Sequence, residues 1–287
     1  MDYKVSRNEL GYMEILPKPS ASELADFYNK NYFDQGNYYD DITDAERMHK
    51  YVSFQEAYAL LGKKSGTILD VGCGEGFSLD YFNSKGFEVS GIDFTSDGID
   101  RFFPKLKKNL TTGNIFEVLE SWIAAGDKKF DIIMCNNVLE HVTNPIEMLN
   151  NIKKMLNPGG MCRFQVPNEY SVLQNYAVEK KIAKKDFWLA PPAHLQYFDK
   201  SSLTKTLEHC GYKVNTMLGD FPIDLFLLNK DTNYVENKSV GKNCHFARVE
   251  FDNLLAGKNI EDLIAFRKGC AASGIGRNLI AYCQPVK

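Results

Sequence analysis

The sequence lacks the features that would tie the chain to a membrane, a polyanion or a disulfide framework. Its 287 residues contain no apolar run of about eighteen residues and begin with charged and polar residues, so we expect a cytoplasmic protein without a membrane partner. The seven cysteines are an odd number without a CxxC pair, which argues against a zinc ribbon and a disulfide scaffold. A net charge of −3 gives little attraction for nucleic acid, so no nucleic-acid partner is expected.

What the sequence contains is typical of a globular chain with a large core. Hydrophobic residues make up 44% and charged residues 25% of the chain. From residue 66 onward, helical patterns alternate with short apolar runs at 67–71, 88–92, 130–135 and 161–166. The run at 130–135 has no polar alternation, as expected for a parallel strand covered on both faces. We therefore predict an α/β fold with a doubly wound, mostly parallel sheet.

Helical patterns flank this region on both sides. Residues 20–61 carry two capping-box spacings, Ser20 with Glu23 and Thr43 with Glu46, which predict N-terminal helices. An aromatic loop containing Tyr32, Phe33, Tyr38 and Tyr39 lies between them. Two more helices are predicted at 244–255 and 259–270, in an insertion before a last strand at 278–283, and residues 231–243 are predicted to form a polar loop.

A glycine-rich turn follows the first strand of the predicted sheet. Gly72, Gly74 and Gly76 form a Gly-x-Gly-x-Gly pattern between that strand and a helix. Glycine permits positive φ and lets a ligand approach the main chain, while the helix N-terminus offers free N–H groups. Phe77 stands where the dinucleotide fingerprint Gly-x-Gly-x-x-Gly needs its third glycine, which disfavours a nicotinamide cofactor.

Two acids accompany this turn. Asp93 ends the next strand, about twenty residues beyond the glycines, where a carboxylate accepts hydrogen bonds from both hydroxyls of a ribose. Asp70 precedes the first glycine by two positions, where it would repel a pyrophosphate but attract an ammonium and a sulfonium. The two acids favour a positively charged adenosyl ligand over a dinucleotide.

Together with residues further along, this pattern resembles the ordered motifs of class I S-adenosylmethionine-dependent methyltransferases. The motifs lie at residues 70–76, 93, 130–141 and 156–160. The resemblance implies a seven-stranded sheet with an antiparallel last strand, S-adenosylmethionine as the cofactor and S-adenosylhomocysteine as its product. It also implies that Asp70 and Gly72 face the methionine end, Asp93 the ribose, and the carbonyl of Asn136 the amino group. The implied cofactor contacts are Asp70, Gly72, Cys73, Gly74, Gly76, Asp93, Phe94, Asn114, Ile115 and Asn136.

The acceptor side is expected in the segment 188–198. Its string Pro-Pro-x-His-x-x-Tyr-Phe resembles methyltransferases of bacterial surface-polysaccharide pathways, which implies a small-molecule partner methylated on a hydroxyl of a sugar or nucleotide-linked sugar. Such a hydroxyl needs a base, and His194 is the first candidate and His141 the second. Structural alternatives are that His194 pins its loop and that His141 orients the loop after its strand. Further substrate contacts are predicted at Tyr38, Tyr39, Trp188 and Tyr197.

Other interpretations remain open. The acceptor is alternatively a quinone, a lipid precursor or a small amine, and a cofactor-binding partner without activity is a further alternative. The string Asn136-Asn137-Val138-Leu139 lacks the Asn/Asp-Pro-Pro-Tyr motif of enzymes that methylate exocyclic amines. No metal is expected, because clustered carboxylates are absent from that strand end. Four lysines are either a solvated helix face or contacts for a phosphate-bearing substrate, namely Lys180, Lys181, Lys184 and Lys185.

These patterns divide the chain into four segments. Residues 1–62 are predicted to be a helical region whose aromatic loop forms a lid, with simple packing as the alternative. Residues 63–217 are the predicted cofactor-binding core. Residues 218–276 are the insertion, predicted to cover the substrate site, and residues 277–287 contain the last strand of the core sheet.

Overall fold

The computed structural model describes residues 3–28, 42–184 and 186–286. In chain order, the strands are β1 (Lys4–Arg7), β2 (Met13–Leu16), β3 (Thr67–Val71), β4 (Glu88–Asp93), β5 (Leu110–Thr112), β6 (Phe130–Asn136), β7 (Leu156–Pro167), β8 (Gln196–Tyr197), β9 (Tyr212–Gly219) and β10 (Asn278–Pro285). The α-helices are α1 (Ala21–Tyr28), α2 (Asp44–Leu61), α3 (Phe77–Ser84), α4 (Asp97–Phe102), α5 (Ile115–Ala125), α6 (Pro145–Lys154), α7 (Val172–Glu179), α8 (Lys200–His209), α9 (Gly241–Lys258) and α10 (Ile260–Ser273). Short 3-10 helices lie at Pro104–Asn109, Ile223–Leu228 and Lys238–Val240.

A central sheet carries seven strands in the order β5-β4-β3-β6-β7-β10-β9. Neighbouring strands are parallel from β5 to β7, whereas β10 is antiparallel to both β7 and β9. The predicted doubly wound sheet with an antiparallel last strand is confirmed. The strand order reverses between β3 and β6, and in such sheets the ligand crevice lies beyond the carboxyl ends of the strands at this point. The glycine-rich turn after β3 lies at this crevice.

Side chains of β6 alternate between two hydrophobic clusters, one on each face of the sheet. Ile133 and Cys135 belong to the cluster that includes α5, α6 and α8, and Ile132 and Met134 belong to the cluster that includes α2, α3 and α10. All four side chains are fully buried. Helices on both faces therefore explain why residues 132–135 of this strand are all apolar.

Local capping signals fix the start of two helices near the site. The hydroxyl of Thr43 accepts the N–H of Glu46 at 3.2 Å, and the Glu46 carboxylate accepts the N–H of Thr43 at 2.8 Å, so the predicted capping box begins α2. Asn144 caps α6, with Pro145 in the first helical turn. Gly62 ends α2 with a left-handed φ of 67° and leads the chain toward β3.

The N-terminal segment contains strands as well as the predicted helices. β1 and β2 pair with each other, and β2 pairs with β8, which gives a separate three-stranded sheet. Ile15 of β2 is fully buried in the cluster under this sheet. The prediction of a wholly helical N-terminal region is wrong for residues 4–16. Strands this short carry little periodicity, and one partner of β2 lies far along the chain, so no local pattern identifies them.

The insertion before the last strand is confirmed. α9 and α10 lie between β9 and β10, with α9 packed on α2 and α10 packed on β9. All seven cysteines are free and buried, as expected for thiols that fill a core. Within the described residues, no helix combines the length and the apolar character needed to cross a bilayer.

Candidate active site

The glycine-rich turn between β3 and α3 adopts backbone angles that only glycine takes readily. Gly72, Gly74 and Gly76 have φ values of 75°, 52° and 84°. A Cβ atom on Gly72 would lie 2.5 Å from the Cγ2 atom of Val138 in the loop after β6, whereas a Cβ atom on Gly74 meets nothing within 4 Å. The turn therefore touches the β6 side closely and leaves open space at Gly74, where a ligand can approach the main chain.

Hydrogen bonds tie this turn to β4. The N–H groups of Gly72 and Cys73 both donate to the carbonyl of Ile92, at 2.8 and 3.1 Å. The N–H of Gly74 donates to the Asp93 carboxylate at 2.7 Å. Burial raises the pKa of Asp93, while the hydrogen bond from Gly74 acts in the opposite direction. Asp93 thus orders the turn, and its contact with a ribose stays a prediction.

Asp70 is a buried acid in β3 with one unsatisfied carboxylate oxygen. Its Oδ2 atom accepts a hydrogen bond from the Ser78 hydroxyl, and its Oδ1 atom has no hydrogen-bond partner in the described part of the chain. Burial raises the pKa of Asp70 to about 7, although the Ser78 hydroxyl and the charge of Arg163 lower it in part. A cationic ligand group beside Oδ1 would offset the cost of burying this oxygen without a partner.

The predicted adenine contacts lie at the ends of β4 and β5. The side chain of Phe94 is 58% exposed, which leaves its ring free for stacking. Asn114 caps α5, where its Oδ1 atom accepts the N–H of Phe116 at 3.0 Å. A carbonyl oxygen accepts two hydrogen bonds, so Oδ1 retains capacity for an exocyclic amine. Ile115 is buried behind it, and the cofactor roles of all three predicted residues stay predictions.

A cavity of about 460 Å³ opens beside the glycine turn. Its other walls come from α2, β7, the insertion and β10. The predicted cofactor residues that line it are Asp70, Gly72, Cys73, Gly74, Gly76 and Asn136. The remaining predicted residues, Asp93, Phe94, Asn114 and Ile115, lie outside this lining. The cavity therefore contains the charged end of the predicted site and not its ribose and adenine end.

Several polar residues of this cavity are not among the site residues predicted from the sequence. Arg163 of β7 donates hydrogen bonds to the side-chain oxygen of Asn136 and, at 2.8 Å, to the Ser53 hydroxyl. Lys50 of α2 forms an ion pair with Glu75 in the glycine turn. A signal for Arg163 does exist, because a charged residue is unusual inside a predicted strand whose other residues, apart from Gln165, are apolar. Lys50 and Ser53 carry no comparable signal, since their role depends on how α2 lies over the turn.

The two candidate bases lie together outside this cavity, where the loop after β6 meets the segment before β8. The ring centroids of His141 and His194 are 4.9 Å apart in an edge-to-face arrangement. The two loops are joined by the N–H of Leu195, which donates to the carbonyl of Glu140 at 2.7 Å. The N–H of His141 donates to the carbonyl of Val138 at 2.9 Å, and Val138 is the residue that contacts the glycine turn. The histidines are therefore linked to that turn through one residue.

Both histidines are neutral at pH 7. Burial lowers the pKa of His141, and burial with the neighbouring His141 lowers the pKa of His194 to about 4. The Nδ1 atom of His141 lies 2.7 Å from the carbonyl oxygen of Ala193. A carbonyl only accepts, so Nδ1 carries the proton and Nε2 carries the lone pair. The Nδ1 atom of His194 is buried, and no described residue offers it a hydrogen bond.

Glu140 joins the histidines in a group that could hold a metal ion. One ligand atom from each of Glu140, His141 and His194 lies within 4.8 Å of the other two. Burial raises the pKa of Glu140 to about 8, and its Oε2 atom has no hydrogen-bond partner among the described residues. One carboxylate and two imidazoles are a known ligand set for divalent metals. The expectation of no metal rests on the absence of clustered carboxylates, and it stays a prediction.

Trp188 and Tyr197 pack inside the protein and do not line the cavity. Their side chains are 7% and 1% exposed, in the hydrophobic cluster beneath the histidine loop. The Tyr197 hydroxyl donates to the carbonyl of His194 at 3.1 Å and accepts the N–H of Ala190 at 3.3 Å. Both side chains therefore have a packing role, which for Tyr197 includes pinning the histidine loop, and their predicted contact with substrate stays a prediction.

The structure describes only some of the other residues that are predicted near the substrate. Tyr38 and Tyr39 lie outside the described residues, as do Tyr32 and Phe33 of the predicted lid and Lys185. The three other lysines of that cluster, Lys180, Lys181 and Lys184, are exposed, and none lines the cavity. Their exposure agrees with the alternative of a solvated face.

Residues 43–216 match a family model described as a methyltransferase domain. The match covers more than half of the chain and includes the glycine turn, both acids and both histidines. The chain belongs to the class I S-adenosylmethionine-dependent methyltransferases. S-adenosylmethionine is accordingly the cofactor of this methyltransferase. The site fits it, because Asp70 presents an unpaired carboxylate oxygen to a cationic group and the turn leaves main chain accessible at Gly74.

Curated relatives of this methyltransferase carry the name ubiquinone biosynthesis O-methyltransferase. The one from Pasteurella multocida (strain Pm70) is 32% identical over 202 residues, which cover 62% of this chain and 78% of the relative. The one from Actinobacillus pleuropneumoniae serotype 7 (strain AP76) is 33% identical over 119 residues, which cover 40% of this chain and 50% of the relative. The latter match thus spans half the length of that relative.

Solved methyltransferase structures share the fold. A SAM-dependent methyltransferase from Archaeoglobus fulgidus superposes with a TM-score of 0.52 at 19% identity, over 82% of this chain and 93% of the other. The 1,6-didemethyltoxoflavin-N1-methyltransferase of Burkholderia thailandensis, solved with 1,6-didemethyltoxoflavin and S-adenosylhomocysteine, has a TM-score of 0.52 at 14% identity, over 99% and 100% of the two chains. At such identities the likeness shows the fold alone.

Proposed function

We propose that this methyltransferase methylates a hydroxyl on a quinol-type aromatic ring of a small molecule. The curated relatives are named for O-methylation in ubiquinone biosynthesis, which favours the quinone alternative over the sugar acceptor expected from the segment 188–198. The loop after β6 lacks the motif of exocyclic-amine methyltransferases, which favours oxygen over that class of nitrogen.

The observation that carries this proposal is the pair of partly buried histidines that are linked to the cofactor turn. Burial that lowers the pKa of His194 to about 4 also makes it a weak base. A phenolic hydroxyl has an ordinary pKa of about 10, far below that of an aliphatic sugar hydroxyl. Its proton therefore passes more readily to such a base. The low pKa of His194 therefore favours an aromatic hydroxyl over a sugar hydroxyl as the proton donor.

In the proposed mechanism, the chain positions two reactants and removes one proton. When bound, S-adenosylmethionine supplies a methyl group on a positively charged sulfur. The glycine turn and Asp93 bind it, and alignment of the bound methyl group with the acceptor hydroxyl favours in-line transfer. His194 accepts the hydroxyl proton, with His141 as the second candidate because its Nε2 atom bears a lone pair. Tyr197 holds the histidine loop in place.

The acceptor class is tested with purified protein, S-adenosylmethionine labelled in its methyl group, and a panel of quinols, nucleotide-linked sugars and small amines. We expect label in the quinols. A matched control is the same quinol with its hydroxyls already methylated, which offers no proton and should remain unlabelled. Label in a sugar or an amine but in no quinol would overturn the proposal. Binding of S-adenosylhomocysteine without label in any compound would instead favour a non-catalytic partner.

A further inference from the structure

Two arginines are buried in the wall of the 460 Å³ cavity, and their partners differ. Arg267 of α10 is paired with two carboxylates, those of Glu56 at 2.6 Å and Asp252 at 2.7 Å. Arg163 of β7 is 1% exposed and forms no ion pair within the described ranges. Its hydrogen bonds all go to neutral oxygens, those of Asn136, Ser53, Gln165 and Tyr282. One buried guanidinium is therefore neutralised directly and the other is not.

The four hydrogen bonds hold Arg163 in one position and leave it one donor. Its Nε atom donates to the Tyr282 hydroxyl at 3.2 Å, and its Nη2 atom donates to Ser53 and, at 3.0 Å, to Gln165. Its Nη1 atom donates to Asn136. A guanidinium has five N–H donors, so one N–H on Nη1 remains after these four bonds. The side chain is preorganised, and its remaining donor requires an acceptor.

Neither Glu56 nor Asp70 accepts a hydrogen bond from Arg163 in the described structure. Glu56 accepts hydrogen bonds from Arg267 and, at 2.8 Å, from Tyr282. Asp70 accepts one from Ser78. Burying a charge without a paired counter-charge is costly. An anion in the cavity would therefore be stabilised at Arg163 more than at Arg267.

Strand register places Arg163 and Asp70 on the same face of the sheet. Asp70 of β3 pairs with Met134 of β6, and Met134 pairs with Arg163 of β7. Neighbouring strands are about 4.8 Å apart, so the two backbones are about 10 Å apart, and the length of the arginine side chain narrows that gap. The cavity thus presents a carboxylate oxygen without a donor and, two strands away, a guanidinium N–H without an acceptor.

We propose that Arg163 binds the carboxylate of the methionine moiety of S-adenosylmethionine. An amino-acid zwitterion offers an ammonium to Asp70 and a carboxylate to Arg163, and planar guanidinium groups suit carboxylates. The adenosyl part then extends toward Asp93, which lies outside the cavity lining. This inference rests on the identity of the cofactor and does not depend on the proposed acceptor.

The test compares two ligands by calorimetry on the full-length protein. S-adenosylhomocysteine carries both the ammonium and the carboxylate, and its decarboxylated analogue keeps only the ammonium. We expect the wild-type protein to prefer S-adenosylhomocysteine by at least about tenfold. Arg163→Gln should lower the affinity for S-adenosylhomocysteine about tenfold to a hundredfold and change the affinity for the analogue less than about threefold. An equal loss of affinity for both ligands, or no loss for either, would contradict the proposal.

Two further variants serve as controls for this result. Arg163→Lys keeps the charge and should fold even where the glutamine variant does not. Because lysine lacks the planar guanidinium group, the preference of this variant for S-adenosylhomocysteine over the decarboxylated analogue should fall about threefold to tenfold. An unchanged preference would overturn the proposal. Arg248→Gln removes a different arginine from the same cavity lining and should leave the preference within about threefold. A loss of preference in this variant instead of in Arg163→Gln would assign the carboxylate to Arg248.

Discussion

The two halves of the site differ in charge and in hydrogen bonding. The cofactor half, around the turn after β3, contains Asp70, Asp93 and Arg163, with backbone N–H groups fixed on carbonyl and carboxylate oxygens. The histidine half contains two neutral imidazoles and a carboxyl group whose pKa is raised to about 8. A charged half suits the binding of a charged cofactor, and a neutral half suits proton acceptance. Binding and turnover should therefore be separable by mutation.

The largest effect is expected from His194→Ala. Removing a general base should lower turnover with a quinol acceptor by about 10² to 10⁴. The affinity for S-adenosylhomocysteine, measured by calorimetry, should change less than about threefold, because His194 does not line the cofactor cavity. His209→Ala, at the exposed end of α8, is the matched control and should change neither quantity. Unchanged turnover in His194→Ala would remove this histidine from the mechanism.

A metal-ligand role is the alternative to proton acceptance, because Glu140, His141 and His194 could also bind a metal ion. Wild-type turnover is measured after dialysis against EDTA and again after addition of a divalent cation. If the histidines act as proton acceptors, turnover should not fall on dialysis. Loss that the cation restores would assign the three side chains a ligand role and contradict their role as bases.

Gly72→Ala tests the rigid contact of the cofactor turn. The new Cβ atom would lie 2.5 Å from Val138 on a backbone with φ of 75°. We expect a loss of about 2 to 4 kcal/mol in the free energy of unfolding, measured with urea, together with weaker cofactor binding. Gly74 has a φ of 52°, but a Cβ atom there would meet open space, so Gly74→Ala should lower the free energy of unfolding by about 1 kcal/mol. Equal losses in the two variants would show that Val138 does not confine the turn.

Asp93→Ala tests whether the cofactor half affects binding alone. Loss of the carboxylate removes the expected ribose contact and the hydrogen bond to the N–H of Gly74. The affinity for S-adenosylhomocysteine should fall about tenfold to a hundredfold, while turnover at saturating cofactor should change less than about threefold. Asp93→Asn keeps one acceptor oxygen and should lose less affinity. A variant with normal affinity and slow turnover would reverse the assignment of the two halves.

The smallest effect is a pH dependence that arises from Asp70. Its pKa of about 7 exceeds the ordinary carboxyl value, so the folded protein retains a proton that the unfolded chain releases between about pH 4 and 7. Stability without ligand should therefore fall as the pH rises through this range. A ligand ammonium favours the ionised carboxylate, so S-adenosylhomocysteine should bind up to about tenfold more tightly at pH 8 than at pH 6. Asp70→Asn should flatten the binding profile, and a flat wild-type profile would contradict the ammonium contact.

Local patterns predict the fold and the cofactor half because they depend on residues close in sequence. The strand, the glycine turn and the following helix are consecutive, and the capping box of Thr43 and Glu46 spans four residues. The remainder depends on distant contacts. Arg267 reaches Glu56 across 211 positions, and β2 at residues 13–16 pairs with β8 at residues 196–197. No local periodicity reports such contacts.

The acceptor half shows why residue type alone does not decide a role. Trp188 and Tyr197 are predicted to contact substrate because aromatic side chains next to a histidine suit an apolar wall. The same property suits a hydrophobic core, and both side chains are buried in one. The two histidines are far apart in sequence, and hydrogen bonds such as those from Leu195 to Glu140 and between His141 and Ala193 bring their loops together.

The most direct test of oxygen methylation is to locate the transferred carbon. The protein is incubated with S-adenosylmethionine carrying a ¹³C methyl group and with the quinol that gains most label, and the product is examined by NMR spectroscopy. We predict a single labelled methyl bonded to a ring oxygen. A labelled methyl on nitrogen or on a ring carbon would contradict the proposed chemistry.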